Sequence, residues 1–262
     1  MATLNDWAEE IGDYFKSLDS RIFAMESLYP LWGNAGAVLY VNTSNTAIIM
    51  EWPCIKDASI RRIFIGKANI RFRGKTMGGY NKDLSLTNFY PSNSTAGGSY
   101  INGTSTSIGT KTEVPVLTNS EFRTLWSNLA TDGTAKSNCD TWLSETDGYT
   151  YSSYTGSPAI EYARSLTIDG HPCDVPNEEE LMMMYLNAER IDSLDDTAEF
   201  YPDFALGKNV NSNGRFRFNN TSGAQSCTES SEKNLRYVGY TGNCGTLAKT
   251  SICTIIPIVE LF

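Results

Sequence analysis

Histidine is nearly missing from this chain: one residue, His171, in 262. A Ser–His–Asp or Cys–His arrangement would have to run through that single ring, and neither HExxH nor HxH spacing occurs around it. Charge is scarce too, at 19% Asp, Glu, Lys and Arg, and the balance is acidic, with a formal net charge of -9. Without a basic excess to neutralise phosphates, the balance argues against a nucleic-acid partner and against an anionic membrane surface. No apolar run approaches 18 residues, so no membrane insertion is expected. The opening MATLNDWAEEIGDYF has acidic residues and no apolar h-region, so it does not read as a secretory signal. Six cysteines (54, 139, 173, 227, 244 and 253) lie far apart, with no CxxC pair and no zinc-like spacing. They read as free, mostly buried thiols, in keeping with synthesis in a reducing cytoplasm. No metal and no cofactor is expected.

What is present begins with a helical stripe. Leu4, Trp7, Ile11, Tyr14, Leu18, Ile22, Met25 and Leu28 recur at threes and fours, and Pro30 and Gly33 close the element. Residues 1–33 therefore read as one helix. It either lies on its own domain or forms a short parallel coiled coil; the stripe's start at the terminus and its sharp end favour the coiled coil. Its bulky mixed seam suits a homotrimer.

Residues 34–112 read as a β-rich region. GAVLYV, TAIIMEW and RRIFIGKANIRFRG are strand-like runs, followed by the polar Gly/Ser/Thr stretch 91–112. Residues 113–262 are mixed. TNSEFRTLWSNLAT predicts a capped helix with Phe122, Leu125, Trp126 and Leu129 on one face. SPAIEYARSLTIDG predicts a second, with Ser157 capping and Pro158 in the first turn. In HPCDVPNEEELMMMYLNAER, Asn177 and Glu180 fit a capping box. Glu178 and Glu179 suit the positive end of the helix dipole, Leu181, Met184, Tyr185 and Ala188 form a core-facing stripe, and Arg190 sits near the C-terminal end. GRFRFNN, KNLRYVGYTG and SICTIIPIVELF read as strands, the last apolar on both faces and so central.

In order along the chain stand Asp174-Val175-Pro176, Glu179-Glu180-Leu181, Ile191-Asp192-Ser193-Leu194-Asp195, Leu206-Gly207-Lys208, Gly214 to Phe218 and Ile256 to Leu261. This series resembles the C-type-lectin-fold domains of bacteriophage tail proteins, including retroelement-variable receptor-binding proteins and the formylglycine-generating-enzyme branch. The resemblance covers about residues 115–262 and rests on the shared order of motifs that are each weak alone. The leader helix is more loosely similar to those of phage fibre proteins. The chain departs from the pattern in having QSCTESSE (Gln225 to Glu232) where relatives carry a WSST turn. The calcium-lectin EPN/QPD and WND signatures are absent, and no catalytic cysteine pair can be assigned.

The resemblance implies an α+β chain: an N-terminal coiled-coil helix, a short β-rich region and a C-terminal C-type-lectin-like fold. It implies a non-enzymatic virion protein made in the bacterial host cytoplasm, a trimeric tail fibre or receptor-binding component. Its partners would be itself, other virion proteins through the N-terminal region, and a host surface glycan or protein. The alternative is a head-decoration, collar or tail-tip protein whose lectin-like domain packs against other virion proteins; an enzyme of the formylglycine-generating type is the third reading. For recognition the candidates are Arg215, Arg217, Asn219, Asn220, Asn234, Arg236, Tyr237 and Tyr240, residues suited to adaptable polar contact. Each could equally be an ordinary strand or turn residue.

Overall fold

The structure is a computed structural model that describes residues 37–53, 60–84, 86, 134–206, 223–239 and 244–261. The predicted N-terminal helix, the helix expected over 118–131 and the GRFRFNN strand lie outside the described residues. Within them the chain is α+β, with four α-helices and small antiparallel sheets.

The main sheet has the order β1-β2-β3-β11, formed by β1 (Val38–Val41), β2 (Ala47–Pro53), β3 (Ile60–Gly66) and β11 (Ile258–Glu260). The β1–β2 turn forms because Asn42 folds its own amide back: its Oδ1 accepts from the Thr46 and Ala47 N–H groups at 2.9 and 2.8 Å. Asn45 takes the left-handed conformation there, φ 57°. Alternation sets the register: Ile48 faces Ile65 and Met50 faces Ile63, all buried on one side of the sheet. Strands from both sides of residue 112 thus share this sheet and its core.

Helix α1 (Ala135–Thr146) is capped by the Thr134 side chain, which accepts from Ser137 N. It buries Ala135, Cys139 and Trp142 on one face, and the Trp142 indole donates to the Cys227 carbonyl at 2.9 Å. Two small hairpins follow, β4 (Thr150–Tyr151) with β5 (Tyr154–Thr155), and β6 (Thr167–Ile168) with β7 (His171–Pro172), separated by α2 (Pro158–Ser165). Gly156 lies against Gly78: a Cβ on Gly78 would stand 1.9 Å from the Gly156 carbonyl oxygen, so only glycine permits this crossing. Then come α3 (Glu178–Leu186), α4 (Ala188–Leu194) and a three-stranded sheet of β8 (Ala224–Glu229), β9 (Asn234–Val238) and β10 (Cys244–Ala248), ordered β10-β9-β8.

Several local expectations change. Ser157 stands at the N-cap of α2 but makes no capping bond; its hydroxyl pairs with that of Thr146 at 2.8 Å, and Glu161 reaches back to the Ser157 N–H instead. The capping box of Asn177 and Glu180 forms as expected. The helix after it is shorter than predicted, because Asn187 interrupts it and places Arg190 in α4. Nor is there a single stripe: Leu181, Met182, Met183, Met184 and Tyr185 are all buried, and the strands Ala224–Glu229 and Asn234–Val238 and the helix Ala188–Leu194 pack against α3. The closing segment is not one strand. Pro257 lacks an N–H and interrupts the ladder, yet Thr254 bridges Ala224, Ile255 bridges Phe72, and Ile258 pairs with both Ile65 and Asp174. Its strand β11 stands at the end of the main sheet's order and not inside it, while single bridges from the rest of the segment link the two sheets.

Candidate functional site

Of the residues proposed for recognition, Arg215, Arg217, Asn219, Asn220 and Tyr240 lie outside the described residues, as do the oligomerisation positions Leu4, Trp7, Ile11, Tyr14, Leu18, Ile22 and Met25. The other three share β9. Asn234 is half-buried at the strand's start, its side-chain amide donating to Ser231 Oγ at 3.2 Å. Tyr237 is half-buried and lies across Gly245, its partner in register; a Cβ on Gly245 would come within 2.6 Å of the ring. Arg236 is a correction: it is 1% exposed and faces inward, its Nε 4.0 Å from the buried Glu178 carboxylate on the first turn of α3. The first turn of α3, which packs against β9, stands opposite its guanidinium. Arg236 therefore joins sheet to helix, and Asn234 and Tyr237 remain at the surface.

The sulfur and imidazole groups of the HPCDVP stretch are separated by the fold. His171 is exposed on β7, whereas Cys173 is buried and burial pushes its thiol up to about 12, which keeps it protonated and unreactive. Burial likewise raises Cys227, and Cys253 to about 11. Cys139, Cys173, Cys227 and Cys253 are free and buried. Among the described residues no group of three or more His, Cys, Asp or Glu side chains is placed to hold a metal ion.

The carboxylates of the same stretch do more than the helix dipole requires. Glu178, Glu179 and Glu180 are all buried. Glu179 accepts from the Trp52 indole at 3.1 Å. Glu180 accepts from the Asn177 N–H at 2.8 Å and shares a hydrogen bond with Glu260 of β11. Burial, then the adjacent Glu260 charge, hold the Glu180 carboxyl well above its ordinary pKa, so it keeps its proton. Glu260 in turn accepts from the Ala135 and Lys136 N–H groups, 3.0 and 2.9 Å away, at the N-terminus of α1. A cavity of about 180 Å³ opens on the pair, walled by Ile60, Arg61, Arg62, Ile63 and Leu261. The hydrogen-bonded pair ties α3, β11 and α1 together. Glu260 escaped the sequence reading, although a lone acid inside the apolar IIPIVELF was its signal.

The DVP triplet stands where these elements meet. Asp174 exchanges backbone bonds with Ile258 at 2.7 and 3.0 Å and pairs with Arg164 at 2.5 Å. Val175 N donates to Cys139 Sγ at 3.4 Å, and the Pro176 carbonyl accepts from Cys227 N at 2.8 Å. Compared with known proteins, the chain matches no family model, no curated protein and no solved structure.

Proposed function

We propose that this chain is a non-enzymatic bacteriophage virion protein. Its N-terminal segment joins three copies, and its C-terminal half, of C-type-lectin-like build, contacts a host surface. The observation that carries the reading is the position of Asp174-Val175-Pro176. The triplet that heads the motif series also bonds the closing strand, α1 and β8 to one another. A motif at such a hub is a structural requirement of a fold, which gives its resemblance to the phage lectin-fold domains more weight than a surface match would. The return of the last strand to β3, beside a separate three-stranded sheet, supports the same reading. On such a scaffold, recognition falls to the segments around β9, where Asn234 and Tyr237 reach the surface.

The burial of Arg236 favours a second reading, because it removes a charged contact from that surface. In it the domain packs against other virion proteins as a decoration, collar or tail-tip component. Pre-incubating susceptible cells with saturating purified protein separates the two. Reduced phage adsorption, with labelled protein on the cells, is the expected result. Unchanged adsorption and unlabelled cells would leave the structural role.

A further inference from the structure

At the turn between β1 and β2 an amine, a carboxamide and a carboxylate meet. Lys67, the residue after β3, has a side chain only 2% exposed. Its Nζ donates to Asn45 Oδ1 at 2.7 Å and to Asp196 Oδ1 at 2.6 Å. The other oxygen of that carboxylate, Asp196 Oδ2, accepts from Asn45 Nδ2 at 3.0 Å. The three groups thus close a ring in which each bonds the other two. A carbonyl bond is about 1.23 Å long, so Lys67 Nζ stands within about 4 Å of Asn45 Cγ.

Each member is held from behind. The Thr46 hydroxyl donates to Asp169 Oδ1 at 2.9 Å, and Ser44 donates to the same oxygen, so both neighbours of Asn45 are fastened. Lys67 and Asp196 are tied through the residues beside them: Ala68 N donates to Asp195 Oδ2 at 2.8 Å. Arg71 Nη2 lies 3.1 Å from that same oxygen, with both side chains buried. Groups kept this close by a rigid frame react with the high effective concentration of an intramolecular step. An ion pair would need only Lys67 and Asp196. The carboxamide between them, presented from a residue in the left-handed conformation (φ 57°), adds an electrophile and a leaving group.

We propose that Lys67 and Asn45 join in an intramolecular amide bond, with Asp196 moving the protons. Asp196 Oδ1 takes a proton from the Lys67 ammonium, and the freed Nζ lone pair attacks Asn45 Cγ. The Nζ–Cγ bond forms and the Cγ–Nδ2 bond breaks. Asp196 carries the two displaced lysine protons to the departing nitrogen, which its Oδ2 already touches. That nitrogen leaves as ammonium with its own two hydrogens, and no oxidant or reductant is consumed. Burial shelters the attacking amine from bulk water, while Asn45 and Asp196, at the surface, let ammonium escape. The bond pins the β1–β2 turn to the end of β3, and it does not depend on the virion reading.

The intact mass of the full chain, followed during incubation above neutral pH, tests this. The chain should become lighter by one ammonia and yield a branched tryptic peptide that joins the segments holding Asn45 and Lys67, uncut after Lys67. Asn45→Gly suits the left-handed backbone and should keep its full mass, with normal cleavage after Lys67. Asp196→Asn alters a side chain 60% exposed and should slow the loss by about a hundredfold or more. A parent chain that keeps its full mass overturns the proposal. So does an ammonia loss that persists in Asn45→Gly, which would place it at another asparagine. A gain in mass at Asn45 overturns it too, since the carboxamide would then be hydrolysed and not joined to lysine.

Discussion

Lys249→Met removes the cation paired with Glu229 in the interior. The two side chains are 0% and 2% exposed and 2.5 Å apart. Lys249 also donates to the Lys82 carbonyl at 2.7 Å and stands 4.9 Å from the Trp142 ring centre, while Glu229 accepts from Leu84 N at 3.1 Å. Burial lowers the Lys249 pKa in spite of the carboxylate beside it, so desolvation outweighs the attraction. The net value of the pair is then small, but the cost of halving it is large. Leaving one buried charge without its partner costs about 3–5 kcal/mol. For a protein of this size that corresponds to a melting temperature lower by roughly 6–20 °C. Adding Glu229→Gln removes the stranded charge while keeping an acceptor for Leu84 N, and should recover at least about 1 kcal/mol. Urea unfolding of both variants, followed by circular dichroism, gives the two values. A single variant that loses less than about 1 kcal/mol, or a double variant no more stable than the single, would refute the reasoning.

Glu180 makes stability depend on pH. Its pKa is raised in the folded chain, so the stabilisation is complete below its ordinary value of 4.5 and lost as pH rises through the elevated one. Glu180→Gln, which keeps the capping-box acceptor, should flatten this decline in a series of thermal melts; an unaltered slope would assign it elsewhere. Gly78→Ala should cost upward of about 2 kcal/mol, from strain at positive φ and a clash with backbone. Gly245→Ala meets only a movable ring and should cost about 1 kcal/mol, so equal losses in chemical denaturation would contradict the two geometries. Light scattering of the full chain should give three times the 29.0 kDa of one copy, whereas a value near one copy would rule out the trimer.

Local chemistry was legible in the sequence where it needed no partner. The capping box of Asn177 and Glu180 involves residues three apart, and Pro158 in the first turn of α2 needs only its own ring. The strand character of TAIIMEW and RRIFIG follows from their short β-branched and aromatic runs, and the four described cysteines are free and buried as expected. What the sequence hid depends on contacts between distant residues. Arg236 reads as a surface residue until α3 is laid across β9. Asn187 reads as helical until its amide turns back to the Met183 carbonyl at 2.9 Å. The burial of Lys249 depends on Gly79 and Lys82, whose carbonyls accept from its ammonium group across the fold.

The claim that this is a recognition protein of a virion is tested most directly by imaging particles. Antibody raised against the full chain and marked with gold should decorate the tail tip or fibres of intact virions. Gold confined to the head or collar would contradict host contact and support the packing role. Particles that carry no gold at all would contradict the virion assignment itself.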